Sequence, residues 1–280
     1  MSKNFKSVSL PCVMGILNAT PDSFSDGGMF FGSNSGTLDD SSHAKMEQHL
    51  RKLIGDGAAI VDVGGESTKP NAQSIGHEEE WGRIARILEV ATVDGKICVS
   101  VDTYHLETAK RALVHGANIV NDVCGTWHFL EMASVMRDFD AHLIVVHNAR
   151  NDENFHKIRD PMAAIISAFE KIFAAATAMD FDVGRIILDP GIGFGKTTGQ
   201  NLEIFKNIDR LCAKFQNPVV CGTSKKSFLR EALDTDARPA LAAATIATTC
   251  EGFRRGCKIF RVHDVAGNLA ALKFAQQLNE

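Results

Sequence analysis

The sequence lacks any CxxC motif: its seven cysteines stand apart at Cys12, Cys98, Cys124, Cys212, Cys221, Cys250 and Cys257. Several lie inside apolar runs, where a free thiol behaves as a small hydrophobe, and an odd number fits a reducing compartment better than a disulfide framework. Neither sign of charge predominates. A formal net charge of -4 and a pI near 6.2 leave no basic footprint for nucleic acid or an anionic membrane surface, so local cations must meet any anionic ligand. No apolar stretch reaches the ~20 residues that span a bilayer, and none is expected to do so. The start, "MSKNFKSVSLPCVMGIL", joins a basic patch to a short apolar run that passes into a polar loop rather than a small-residue cleavage site. No signal peptide is expected there, and the chain reads as cytoplasmic. No Pro/Gly/Ser-rich linker or charge block divides the chain, so its 280 residues, long enough for one or two domains, are read as one.

What is present is a regular alternation. Eight short apolar runs recur at wide intervals: "CVMGIL", "AAIVDVG", "ICVSVD", "NIVND", "HLIVVH", "RIILD", "PVVCG" and "IFRVHD". They are rich in valine and isoleucine and apolar on both faces, as parallel strands covered by helices are. Eight helical segments stand between them or close the chain, from "AKMEQHLRKLIGDGA" and "HEEEWGRIARILEVA" to "RPALAAATIATTCEGFRRG" and "AGNLAALKFAQQLNE". This alternation, in an α/β chain, predicts a single (β/α)8 TIM barrel with its active site at the C-terminal ends of the strands; a doubly wound open sheet is the rival.

The strand ends read Asn18, Asp62, Asp102, Asn121 with Asp122, His147, Asp189, Ser224 with Lys225 and Lys226, and Arg261 with His263. A single polar residue at a strand end is ordinarily a solvated end or a helix cap, but eight on one rim suggest a binding site. Asp62, Asp102, Asn121, Asp189 and Lys226 suit a flat heterocycle with a guanidine-like donor edge and a carbonyl opposite, the layout of a pterin. Arg261 and His263, two residues apart on one strand, form a candidate diphosphate clamp, and Asn18 could offer an oxygen to a Mg²⁺ on the same phosphates. "GIGFGKT", from Gly191 to Thr197, imitates a Walker loop but falls one residue short. His147 has a competing reading as a core histidine.

"VMGILNATPDSFSDGG", "VDVGGESTKP", "SVDT", "NIVNDV", "LDPGIGFGK", "TSKKSF" and "IFRVHDV" occur in this order over nearly the whole chain. On these motifs the sequence resembles the bacterial dihydropteroate synthases. The resemblance implies a barrel enzyme of folate synthesis, a homodimer, that joins a dihydropterin-methyl diphosphate to p-aminobenzoate and releases diphosphate. It carries a pterin pocket over to Asp102, Asn121, Asp189 and Lys226, with Asp62 nearby. A diphosphate site with Mg²⁺ carries over to Asn18, Arg261 and His263, and a p-aminobenzoate site to Phe24, Thr68, Pro70, Phe194, Ser224 and Ser227. Val146 stands where the family often has Met, Ile192 where Phe is common, and Lys69 where "ESTRP" has Arg. Two alternatives remain: a pterin-binding methyltransferase acting on a corrinoid, and a non-catalytic pterin-binding paralogue.

Overall fold

The computed structural model describes residues 4–20, 40–67, 72–93, 95 and 97–279. Among these residues there are eight parallel strands: β1 (Cys12–Asn18), β2 (Ile60–Gly64), β3 (Cys98–Asp102), β4 (Ile119–Asp122), β5 (His142–Val146), β6 (Ile186–Asp189), β7 (Val220–Cys221) and β8 (Ile259–Val262). Hydrogen bonding runs in the order β6-β5-β4-β3-β2-β1-β8-β7. A parallel bridge between Leu188 and Val219, with Leu188 N–H donating to Pro218 O at 2.9 Å, joins the two ends of that order. The sheet therefore closes into a barrel, and the open-sheet alternative is excluded.

The two-residue period of the strands explains both the core and the site. One set of side chains, among them Val13, Val61, Val63, Val99, Val101, Val120, Leu143, Val145, Leu188, Phe260 and Val262, packs outward against the helices. The alternate set points inward, where Cys12, Met14, Ile60, Cys98, Ile119, Ile144, Ile187, Val220 and Ile259 fill the lower barrel and Phe5 closes its base. Two residues further along five of the strands the inward position becomes polar: Ile60 gives way to Asp62, Cys98 to Ser100 and Asp102, Ile119 to Asn121, Ile187 to Asp189, and Ile259 to Arg261. The register aligns Asp62 with Ser100 and Asp102 with Asn121, while Arg261 stands opposite the apolar Met14, so the change from apolar to polar is staggered from strand to strand.

Ten α-helices cover the strands among the described residues: α1 (Asp40–Gly55), α2 (His77–Val93), α3 (Leu106–Val114), α4 (Phe129–Met136), α5 (Pro161–Ala178), α6 (Thr198–Lys206), α7 (Ile208–Lys214), α8 (Ser227–Leu233), α9 (Arg238–Arg254) and α10 (Val265–Gln277). Two more appear than the sequence predicts. The helix expected over "NLEIFKNIDRLCAKF" breaks at Asn207, whose amide donates to Glu203 O at 2.9 Å and competes with the backbone ladder. The other, α8, is a short piece that ends where Asp234 turns left-handed, with φ 47°. By length and composition α5 is apolar enough to cross a membrane, yet it buries Met162, Ile165, Phe169, Ile172 and Ala176 as one stripe. That stripe belongs to the barrel's outer core, as expected of a barrel helix.

Candidate active site

The upper barrel holds a connected charge network. Asp62 is fully buried and accepts on both oxygens: Oδ1 from Ser100 Oγ at 2.6 Å, and Oδ2 from Asn121 Nδ2 at 3.0 Å and Arg261 Nε at 2.6 Å. The same guanidinium donates through its terminal nitrogen to Asp102 Oδ2 at 2.6 Å. Burial alone would lower the pKa of Arg261, but the two carboxylates outweigh it and hold the group above its usual range. Burial pushes Asp102 up to about 7, opposed by Arg261 and reinforced by Asp62. Arg261 is thus a fixed cation shared by one internal and one outer carboxylate.

Across the mouth, Asp189 Oδ1 accepts from Gly191 N at 2.7 Å. Lys226 donates to Ile192 O, and its ammonium lies 4.5 Å from the Phe194 ring centre. Burial lowers Lys226 to about 8, with Asp189 acting the other way. Gly222 borders this pair: a Cβ there would lie in ordinary contact with both, 3.7 Å from Asp189 Oδ2 and 3.9 Å from Lys226 Nζ. Asp102, Asn121, Val123, Val146, Asp189, Phe194, Gly222, Lys226 and Arg261 together line one inner cavity of about 20 Å³.

Some expected site residues lie elsewhere. Arg261 and His263 do not share this cavity: Arg261 turns into the barrel, while His263 Nδ1 meets Ser224 Oγ at 2.9 Å and both line an outer cavity of about 500 Å³ between α8, α9 and α10. Ser227 is the exposed first residue of α8, directly after Lys226. Asn18 is half-buried at the end of β1, its Oδ1 3.4 Å from where a Gly64 Cβ would stand. Phe24, Thr68 and Pro70 lie outside the described residues.

The picture of polar residues converging from the ends of all eight strands needs correction. Asp62 and Arg261 lie within their strands, not beyond them. Asp122 faces outward and accepts from Cys124 N at 2.9 Å and pairs with His128 Nδ1 at 3.1 Å. His147 packs on Phe155, its Nδ1 has no hydrogen-bond partner, and burial lowers it to about 3, so it is neutral. Sequence reasoning also missed Ser100, Val123, Gly222, Arg150 and Lys196. Ser100 had a readable signal, since it sits two residues before Asp102 on the same face, and Val123 and Gly222 directly follow β4 and β7; Arg150 and Lys196 lie further along their loops.

A sequence profile of the pterin-binding enzyme family matches residues 14–263. The dihydropteroate synthase of Bacillus subtilis is 39% identical over 253 residues, spanning 90% of this chain and 83% of that protein. The dihydropteroate synthase of Clostridium beijerinckii is 38% identical over 273 residues, spanning 97% and 96%. Among solved structures, dihydropteroate synthase from Clostridium difficile, determined in the presence of pteroic acid, superposes with a TM-score of 0.85 at 35% identity and covers 97% of each chain. The Xanthomonas albilineans dihydropteroate synthase, determined with 4-aminobenzoic acid, gives 0.85 at 30% identity over 97% of this chain and 94% of that one. With its closed barrel and inward carboxylates, the chain belongs to the pterin-binding enzyme family, among the dihydropteroate synthases.

Proposed function

We propose that the inner cavity takes the ring of a dihydropterin-methyl diphosphate and that the chain condenses it with p-aminobenzoate, releasing diphosphate. The observation that carries this is the meeting of two carboxylates, an amide, an ammonium and a guanidinium, from β3, β4, β6, the loop after β7, and β8, around one cavity. Asp102 and Asp189 would accept from the N–H edge of the heterocycle, and Lys226 and Asn121 would donate to its acceptors. In a space of about 20 Å³ a bicycle fits only if Lys226 and Arg261 draw back from it. Arg261 can do so while Nε stays on Asp62, its outer nitrogens turning from Asp102 to the substrate.

The reaction is an early dissociation. The carbon–oxygen bond to diphosphate breaks first, the electron pair leaves with the diphosphate, and the pterin-methyl cation that remains is stabilised by the negative charge of Asp102 and Asp189. Arg261, with its outer nitrogens turned from Asp102, would hold the departing anion; His263 could join it only by leaving Ser224 in the outer cavity. The aniline nitrogen then attacks the methylene carbon, and the proton it sheds passes to the released diphosphate or to water. Because the electrophile forms before attack, no strong base or nucleophilic side chain is needed. Phe194, Ser224 and Ser227, with Phe24, Thr68 and Pro70, would make the p-aminobenzoate site, and Asp62 would keep Arg261 oriented.

Asn18 is a fitting holder for Mg²⁺: it offers one neutral oxygen beside a bare glycine, and this ion takes few protein oxygens along with water and substrate phosphate. When bound, the ion would neutralise charge developing on the leaving diphosphate. Cytoplasmic work is supported by seven free thiols. A homodimer is supported by the resemblance alone, and sedimentation of the purified chain tests it.

The deciding experiment incubates the purified chain with Mg²⁺, dihydropterin-methyl diphosphate and p-aminobenzoate. Diphosphate and dihydropteroate should appear in equal amounts. A methyltransferase or a mere pterin binder would make neither, and that result would overturn the proposal.

A further inference from the structure

Beneath the loop that follows β6 lies a cation with no part in the chemistry above. Lys196 Nζ donates to three backbone carbonyls, His147 O at 2.7 Å, Gly191 O at 2.8 Å and Phe194 O at 3.2 Å. Among the described residues no carboxylate hydrogen-bonds to it. The loop is pressed against the end of β5 so closely that only glycine fits at two of its turns. Gly191 has φ 66°, and a Cβ there would lie 2.0 Å from His147 O; Gly195 has φ 67°, and a Cβ there would lie 2.4 Å from Ala149 C. This flat docking aims three carbonyl oxygens at one point; Gly191 O also accepts from Phe194 N at 3.0 Å, but the ammonium alone bridges all three. Phe194 O also accepts from Ala149 N at 3.2 Å. The ring of Phe194 emerges from this staple to line the inner cavity, with Lys226 at 4.5 Å and Arg150 at 5.0 Å.

Resting on the synthase reading, we propose that Lys196 is a positioning residue for the second substrate: its ammonium ties the β6 loop to the end of β5 and fixes the Phe194 ring against which p-aminobenzoate packs. Lys196 touches neither substrate. Its effect should therefore fall on KM for p-aminobenzoate and leave the chemical step largely intact. Its protonation supplies a second handle. Burial lowers Lys196 to about 7, with Asp189 raising it and Lys226 and Arg150 lowering it further; neutral His147 adds no charge. A neutral amine has two N–H donors for three carbonyls, so the staple loosens as pH rises through that value.

Lys196→Met keeps the length of the side chain and removes its donors. The expected result is a rise of about tenfold in KM for p-aminobenzoate, with kcat and the pterin KM changed less than about twofold. An unchanged KM for p-aminobenzoate overturns the inference, as does an equal loss in kcat and both KM values accompanied by a lowered Tm. Should Lys196→Met fail to fold, wild type carries the test: its KM for p-aminobenzoate should climb between about pH 6.5 and 9, and a flat profile overturns the proposal. Lys196→Arg stays charged over that range and should flatten the climb. Lys226, which titrates near 8 and faces the pterin, should show its own limb in the pterin KM. A wild type that makes no product fails the synthase reading itself; a wild type that turns over beside an unaffected Lys196→Met fails only this inference.

Discussion

Arg261 shows how one residue serves stability and binding together. Its guanidinium is buried in company with Asp62 and Asp102, and a buried charge left without its partner is costly. Arg261→Leu should lower the free energy of unfolding by about 3–5 kcal/mol, measured by urea denaturation, because two carboxylates lose their shared cation. Adding Asp62→Asn should recover part of the loss, since one of those orphaned charges is then gone. If the double variant is no more stable than Arg261→Leu, the network is not electrostatically coupled as described. Ser100 is a milder case: Ser100→Ala removes one hydrogen bond from an Asp62 that keeps two others, and a loss of about 1 kcal/mol is expected in the same titration. The identities of Asp62 and Arg261 were legible in the sequence, because charges inside valine and isoleucine runs stand out. Their partnership was not: they are 199 residues apart and meet only because β8 returns beside β1.

At the scale of elements, the loop after β6 and the helix that follows form one unit. Thr197 caps α6 by accepting from Gln200 N at 3.2 Å, and Gln200 Oε1 accepts in return from Thr197 N at 3.2 Å. Within the helix's first turn, Asn201 accepts from Gly193 N at 2.7 Å and donates to Lys196 O at 3.2 Å, so the capped end of α6 also grips the loop that carries Phe194. Thr197→Ala should cost about 1 kcal/mol in urea denaturation. Because that cap steadies the same loop, KM for p-aminobenzoate should rise with it; a stability loss with no change in that KM would separate the helix from the site. The eight strands and the overall alternation were legible because a chain buried on both faces has no other simple use for such runs. Helix breaks were less so. Asn207 sits in an unbroken apolar period, and only its side-chain bond to Glu203 O reveals why the helix stops there.

For the whole molecule, closing the barrel turns separate strand positions into a site with its own acid and base limits. Asp102 titrates near 7, raised by burial, and its carboxylate is the form that accepts from the heterocycle; Lys226 titrates near 8, lowered by burial, and its ammonium is the form that donates. Because kcat/KM reports the free enzyme, its value for the pterin substrate should rise as Asp102 loses its proton and fall as Lys226 loses its own, giving a narrow bell between those limits. The sign follows from each group: protonation below the Asp102 value removes an acceptor, and deprotonation above the Lys226 value removes a cation. Lys226→Arg, whose guanidinium keeps its proton throughout, should abolish the alkaline limb and leave the acid limb in place. If the alkaline limb survives that change, Lys226 is not the donor the pterin requires.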